Sequence, residues 1–396
     1  MTKTYLNALG VACPLGAGKA AVSANLARGH AGGIRREPGW LPGRGTLVGR
    51  VDGMLPEVPA SFAPWNCRNN RLALLAVREI DSELQALVHR FGAARIAVVL
   101  GTSTGGMAEA EQAFRHFHHS GAWPDGYRYE NQETGNLAAC VAGYLGVGGP
   151  AYTVGTACSS SGKAMASARR LMAAGLCDAA VVGGCDTLCA MTINGFDALN
   201  SLTDTACNPF SRNRDGIVIG EGAAIFILSP DPAPIALMGV GESSDAYHMS
   251  APQPEGDGAI AAMRAALEDA GVDAARIDYL NLHGTATPLN DAMESHAVQR
   301  VLGGGVPCSS TKGMTGHMLG AAAGVEAAFL WLTQHPDFTN GLLPPHVWDG
   351  VHDDTLSPIN LVRPDTPAPA DGSIMMSNSF AFGGSNVSLV VGRADG

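Results

Sequence analysis

Among the nine cysteines and twelve histidines of the 396-residue chain, a few stand where side chains commonly do chemistry. Cys158 follows the apolar run Ala151 to Val154 and precedes an Ala-rich helical stretch from Ser159 to Ala174. A sulfur there lies near a helix N-terminus, where unpaired N–H groups and aligned peptide dipoles place about half a positive charge and favour thiolate. Ser159, Ser160, Ser161 and Gly162 keep the turn open. A buried, inert thiol fits the same position, so the residue alone leaves both readings open. His283 closes a strand and opens the loop HGTATPLND, from which an imidazole would project at a sheet edge. A structural histidine is equally at home there. His317, in SSTKGMTGHMLGAAAG, begins a helix whose dipole disfavours imidazolium, so a neutral ring donating a hydrogen bond is expected. Lys312, in the same turn, would push the same way if close and is otherwise a solvated loop charge.

Two further patterns compete. Gly101-Thr102-Ser103-Thr104-Gly105 satisfies GxSxG, follows the strand Ile96 to Leu100 and precedes a helix, the setting of a serine-hydrolase nucleophile. That reading leaves the segments around Cys158, His283 and His317 without a purpose. The run His116-Phe117-His118-His119 lacks a complementary ligand set and reads as a solvated helix end rather than a metal site.

The elements that must position these residues follow an α/β pattern. Apolar runs at IAVVLG, AYTVG, AAVVGG and AAIFIL alternate with Ala-rich helices, as in a sheet buried on both faces. After the Pro-punctuated SPDPAP the alternation restarts with IALMGVG, AIAAMRAALEDAG, IDYLNLHG, DAMESHAVQRVLG and a helix from about Met318 to Leu332. Two halves are expected, 1–230 carrying the nucleophile and 231–396 the two histidines. TVGTACSSSGKAMASARRLMAAG and PCSSTKGMTGHMLGAAAGVEAAFLWL both run strand, small-residue turn, helix, which suggests a duplicated fold with a site between its halves. Segments 31–66 and 108–135 read as excursions from that core.

Composition sets the bounds. A net charge of −11 argues against an electrostatic grip on nucleic acid or an anionic membrane. The odd number of scattered cysteines, without CxxC or zinc spacing, argues against disulfides and structural metal and suits a reducing cytoplasm. The N-terminus lacks a long apolar stretch before a cleavage site, and no run of about 18 residues is apolar throughout, so a soluble, unprocessed protein without membrane insertion is expected.

Six segments in order, GTACSSS around Cys158, NRDGIVIGEGAA, GESSDAYHMSAP, LHGTATPLND, SSTKGMTGHMLGAA and SNSFAFGGSN, resemble the β-ketoacyl-acyl-carrier-protein synthases of the thiolase superfamily, in particular the elongating type I/II enzymes. The resemblance implies a thiolase-like duplicated fold of five layers, α-β-α-β-α. It implies a Cys-His-His site and an acyltransferase that condenses an acyl-cysteine thioester with malonyl carrier protein, releasing CO2, in fatty acid or polyketide elongation. By the matching positions, Cys158 takes the acyl group while His283 and His317 hydrogen-bond the malonyl thioester carbonyl. Lys312 and Glu326 are the supporting charged pair. The N–H groups of Cys158 and Phe382 form the oxyanion hole, with Phe382 also gating, and Thr285 and Thr287 bind pantetheine. Asp291 and Glu294 fit the pattern too, although exposed acids at a helix start would read the same. No cofactor or metal is implied, since substrates arrive on the phosphopantetheine of acyl carrier protein. Thr104 stands where fatty-acid synthases commonly carry a larger apolar residue at the floor of the acyl pocket, implying a more polar or wider pocket. Of the basic residues that meet carrier protein, Arg68 and Arg71 remain, and both fit plain surface arginines. GESSDAYHMSAP and HGTATPLNDAMES are most similar to synthases of bacterial aryl polyene pigment clusters. Such enzymes act as homodimers or pair with a homologous chain-length-factor-like subunit. A chain of the latter kind, which sets length without making bonds, would lack the nucleophile.

Overall fold

The computed structural model describes residues 3–369 and 373–394. The first half contributes strands β1 (Thr4–Cys13), β2 (Ile96–Gly101), β3 (Ala151–Val154), β4 (Ala179–Asp186) and β5 (Gly222–Ser229). They lie side by side in the order β3-β2-β4-β5-β1. Strands β2, β3 and β4 are parallel, and β5 and β1 continue antiparallel. The second half contributes β6 (Ile235–Ser244), β7 (Tyr279–Asn281), β8 (Pro307–Ser309), β9 (Ile374–Ala381) and β10 (Ser385–Arg393). Their order, β8-β7-β9-β10-β6, repeats the first strand for strand and direction for direction, with a two-residue strand, Asn360–Leu361, added beside β8. A short antiparallel pairing, Thr4 with Leu237 and Tyr5 with Ala236, joins β1 to β6 and links the two sheets by hydrogen bonds.

Period-two alternation sorts side chains onto the two faces of each sheet. On β2, Ala97 and Val99 enter the central core while Ile96, Val98 and Leu100 enter an outer one. On β5, Ala224, Phe226 and Leu228 divide from Ala223, Ile225 and Ile227 in the same way. Helices cover both faces, so these runs are apolar throughout. Helices α1 (Arg68–Val77) and α2 (Asn136–Leu145) cover the outer face of the first sheet. Between the sheets lie α3 (Ser160–Ala173) and a later helix, Ala322–Gln334. Outside the second sheet are α4 (Asp257–Ala270) and α5 (Pro288–Val301). With Ala322–Gln334 as α6, this is the five-layered α-β-α-β-α arrangement.

Small residues let the central layer close. A Cβ on Gly162 of α3 would lie 2.8 Å from Val387 and 3.2 Å from Ala323, and one on Gly324 of α6 would lie 3.1 Å from the Ser161 Cβ. All of α6 is buried. It begins later than the sequence suggests: Leu319 adopts φ 48°, a left-handed value that breaks the helix expected from Met318, and a 3-10 turn, Leu319–Ala321, precedes α6. Of the two excursions, 31–66 contains a hairpin, Ile34–Leu41 with Arg44–Gly49, that pairs with Ile219–Gly220. The other is largely a helix, Met107–Ser120, on which Phe117 stacks on Trp123 and Phe114 meets the same ring edge to face. Among the described residues no helix is long and apolar enough to cross a membrane.

Candidate active site

Six strands, parallel in two sets of three, end beside groups that could do chemistry. Beyond β2 come Thr102 to Thr104, beyond β3 Cys158, and Asp186 ends β4. Beyond β7 comes His283, beyond β8 Lys312 and His317, and beyond β9 Phe382. Functional groups collect at the carboxyl ends of parallel strands because successive turns there face one crevice. Cys158, His283, Thr285, Thr287, His317 and Phe382 line one cavity. A second, lined by Thr102, Ser103, Ala157, Thr192, Leu319 and others, shares with it only Cys158, Phe196 and Phe382.

The turn that presents Cys158 is strained and held. Ala157 adopts φ 50°, a value that non-glycine residues seldom take. The Ser160 hydroxyl accepts from the Thr156 N–H at 2.8 Å and donates to the Ala157 carbonyl at 2.6 Å. Cys158 is 5% exposed, and its Sγ lies 2.9 Å from His317 Nε2. The rings of His283 and His317 meet edge to face with centroids 5.3 Å apart. Burial pushes the Cys158 thiol up to about 12, against the pull of Lys312 and the Phe382 N–H. The thiolate expected from the helix start is therefore outweighed by desolvation, and the resting group is a thiol. Burial, then Lys312, holds both imidazoles well below their ordinary value, so each is neutral, although His317 stands ahead of the 3-10 turn and α6 rather than at a helix start.

Lys312 is no solvated charge. It is fully buried and donates to the His283 carbonyl and to Glu326, which is also fully buried. Burial raises Glu326 while Lys312 opposes the rise. Nor are Asp291 and Glu294 exposed helix-start acids. Glu294 accepts from the N–H groups of His283 and Gly284, each at 2.7 Å, clamping the loop that presents the imidazole. Asp291 accepts from the Phe210 N–H at 2.7 Å. Both are buried.

Phe382 directs its N–H toward the Cys158 sulfur, and its ring packs against Phe196 at 5.4 Å on the boundary between the cavities. The Thr285 and Thr287 hydroxyls are 3.0 Å apart on the outer cavity. Thr104 takes a different place from the one expected. It is 2% exposed, its hydroxyl donates to Asp186 and accepts from the Thr187 N–H, and Thr102 and Ser103 line the inner cavity instead. Arg68 and Arg71 are likewise engaged. Arg68 pairs with the fully buried Glu221, and Arg71 donates to the Pro56 and Leu55 carbonyls. Ser103 Oγ has no hydrogen-bond partner among the described residues, and thus no base to activate it.

The reactive atoms of Cys158, His283 and His317 lie within 4.8 Å of one another, a donor set that could also hold a metal. Yet Nδ1 of each histidine has no hydrogen-bond partner among the described residues. Metal-bound imidazoles are normally oriented through that nitrogen. His116, His118 and His119 join no such group among the described residues. Phe196, Asp186 and His346 were not foreseen from the sequence. A strand-end Asp in AAVVGGCD was the only available signal for the second, and the others had none.

A thiol and two neutral imidazoles facing a divided cavity, in a doubled α/β fold, define a thioester-handling acyltransferase. The family descriptions "Beta-ketoacyl synthase, N-terminal domain" and "Beta-ketoacyl synthase, C-terminal domain" match residues 67–233 and 235–347. The chain is 34% identical over 341 residues to 3-oxoacyl-[acyl-carrier-protein] synthase 2 of Staphylococcus aureus, covering 82% of this chain and 83% of that one. It is 46% identical to the Xenorhabdus doucetiae ketosynthase ApeO, solved in complex with its chain length factor ApeC, with a TM-score of 0.93 over 99% of this chain and 98% of that one. A β-ketoacyl synthase from Burkholderia phymatum superposes with a TM-score of 0.87 over the full length of both chains at 27% identity. The chain belongs to the β-ketoacyl synthase family. Its reaction is the decarboxylative condensation of an acyl-cysteine thioester with malonyl-acyl-carrier protein, giving β-ketoacyl-carrier protein and CO2.

Proposed function

We propose that Cys158 carries the acyl group and that His283 and His317 activate malonyl. Cys158 Sγ attacks the acyl thioester, and its proton leaves with the pantetheine thiol. Malonyl carrier protein then enters along Thr285 and Thr287. N–H donation from the two neutral imidazoles stabilises the enolate formed as CO2 departs, and its carbon attacks the acyl-cysteine. The N–H groups of Cys158 and Phe382 hold the tetrahedral oxyanion until the β-ketoacyl product leaves and the sulfur regains a proton. Lys312 favours the neutral form of both imidazoles and holds the His283 carbonyl, and Glu326 holds Lys312 in place. The 2.9 Å approach of His317 Nε2 to Cys158 Sγ, across the halves 1–230 and 231–396, carries this reading.

The acyl substrate is proposed to be a conjugated, aryl-capped chain of aryl polyene synthesis, supported by the hydroxyl-bearing wall of the inner cavity and by likeness to ApeO. We further propose a cytoplasmic enzyme with no cofactor of its own. Its partners are acyl carrier protein and a homologous chain-length-factor-like subunit, as ApeO has in ApeC. The test mixes the protein with malonyl carrier protein and saturated, polyunsaturated or aryl acyl carrier proteins, then weighs enzyme and products. The parent should gain acyl mass on Cys158 and extend the aryl and polyunsaturated chains. Cys158→Ala should gain none, while His283→Ala and His317→Ala should lose condensation by about 100-fold or more. Preference for saturated chains would overturn the pathway, and acyl mass on Cys158→Ala the nucleophile.

A further inference from the structure

Asp186 is fully buried, with no cation at ion-pair distance among the described residues. Its Oδ1 accepts four hydrogen bonds from the loop after β2: Thr102 Oγ1 at 2.6 Å, Ser103 N at 2.7 Å, Thr104 N at 2.9 Å and Thr104 Oγ1 at 2.8 Å. Its Oδ2 accepts from the N–H of Gly320, which closes the turn running from His317 through the left-handed Leu319. That turn belongs to the second half and the loop to the first. A Cβ on Gly320 would lie 2.9 Å from Oδ2 and 2.6 Å from Ser103 Oγ, so only glycine permits so close an approach.

We propose that Asp186 is a positioning residue for condensation, tying the wall of the inner cavity to the turn that holds His317 against Cys158. The proposal rests on the Cys158 and His317 assignments. Four donors on one oxygen and one on the other compensate a buried carboxylate that no cation neutralises. Its captive, Thr104, is thereby turned away from the acyl chain.

Asp186→Asn breaks the tether. The four donors retain the amide oxygen, so the NH2 group is forced against the Gly320 N–H and that tether is lost along with the charge. In the full-length enzyme, kcat for condensation should fall on the order of 10- to 100-fold with KM for acyl carrier protein unchanged. Asp186→Glu, which displaces the carboxylate, should also lose kcat. Gly320→Ala, which crowds the same contact from the other side, should lose kcat too and gives the answer if Asp186→Asn does not fold. Parental condensation in a folded Asp186→Asn or Gly320→Ala protein would overturn the proposal. Condensation surviving in His317→Ala or Cys158→Ala would instead mark failure of the site assignment.

Discussion

His346 lies outside both cavities and joins two distant segments, at Ser310 and at Pro209. Its Nδ1 accepts from the Ser310 N–H at 3.1 Å, which leaves Nε2 to donate to the Pro209 carbonyl at 3.0 Å. Ser310 in turn donates to the Gly284 carbonyl at 2.6 Å, beside His283. Burial pulls His346 down from 6.5 to about 4. Between those values the unfolded chain binds a proton that the folded chain does not, so its stabilising contribution is complete above 6.5 and is lost as pH falls toward 4. His346→Gln can keep both hydrogen bonds without titrating. Its thermal midpoint should therefore fall less than the parent's between pH 6.5 and 4. Some slope should remain, because His283 and His317 act in the same direction; a variant as acid-sensitive as the parent would refute the assignment. Residues of this kind explain what the sequence could not reveal. Cys158, His283 and His317 were visible because each stands in a small-residue turn after an apolar strand. Asp186 and His346 bond chiefly to backbone groups far away in the chain, and backbone groups leave no mark on residue types. The place of Thr104 was hidden as well, because Asp186 sets its environment, while Lys312 pairs with Glu326 as the family resemblance implied.

Among the elements, the central pair α3 and α6 depends most on residue size. The Ala and Gly content of both stretches announced close packing. The left-handed Leu319 was not announced; it adjoins the Gly320 N–H that bonds to Asp186, a contact between distant parts of the chain that residue types do not record. Gly162→Val would force a branched side chain against Val387 and Ala323, where even a Cβ lies within 3.2 Å of both. Overpacking of this kind costs about 1–3 kcal/mol. Urea unfolding should show that loss as a lower midpoint with an unchanged slope, and an undiminished midpoint would mean that the layers can separate freely. The strands were the most legible elements, because a sheet covered on both faces must be written in unbroken apolar runs.

For the whole molecule, the first sheet ends in an edge. The Pro150 and Val154 carbonyls accept from the Val98 and Thr102 N–H groups of the loop and strand beside them. By alternation, Ala151 and Thr153 turn their own N–H groups away from the sheet. Such an edge invites another strand. Ala151→Pro removes an outward donor and none of the inward ones. Light scattering of the protein, alone or with the homologous subunit, should show assembly weakened and the fold retained; assembly equal to the parent's would place the interface elsewhere. The matching order of the two halves has a consequence of another kind. Cys158 follows the third strand of one half and His317 the third strand of the other, each leading toward a central helix. Descent from a half-length ancestor, present twice, would make the thiol and the imidazole diverged copies of one loop. The catalytic asymmetry of the enzyme would then have arisen after duplication, once two equivalent seats had become free to evolve apart.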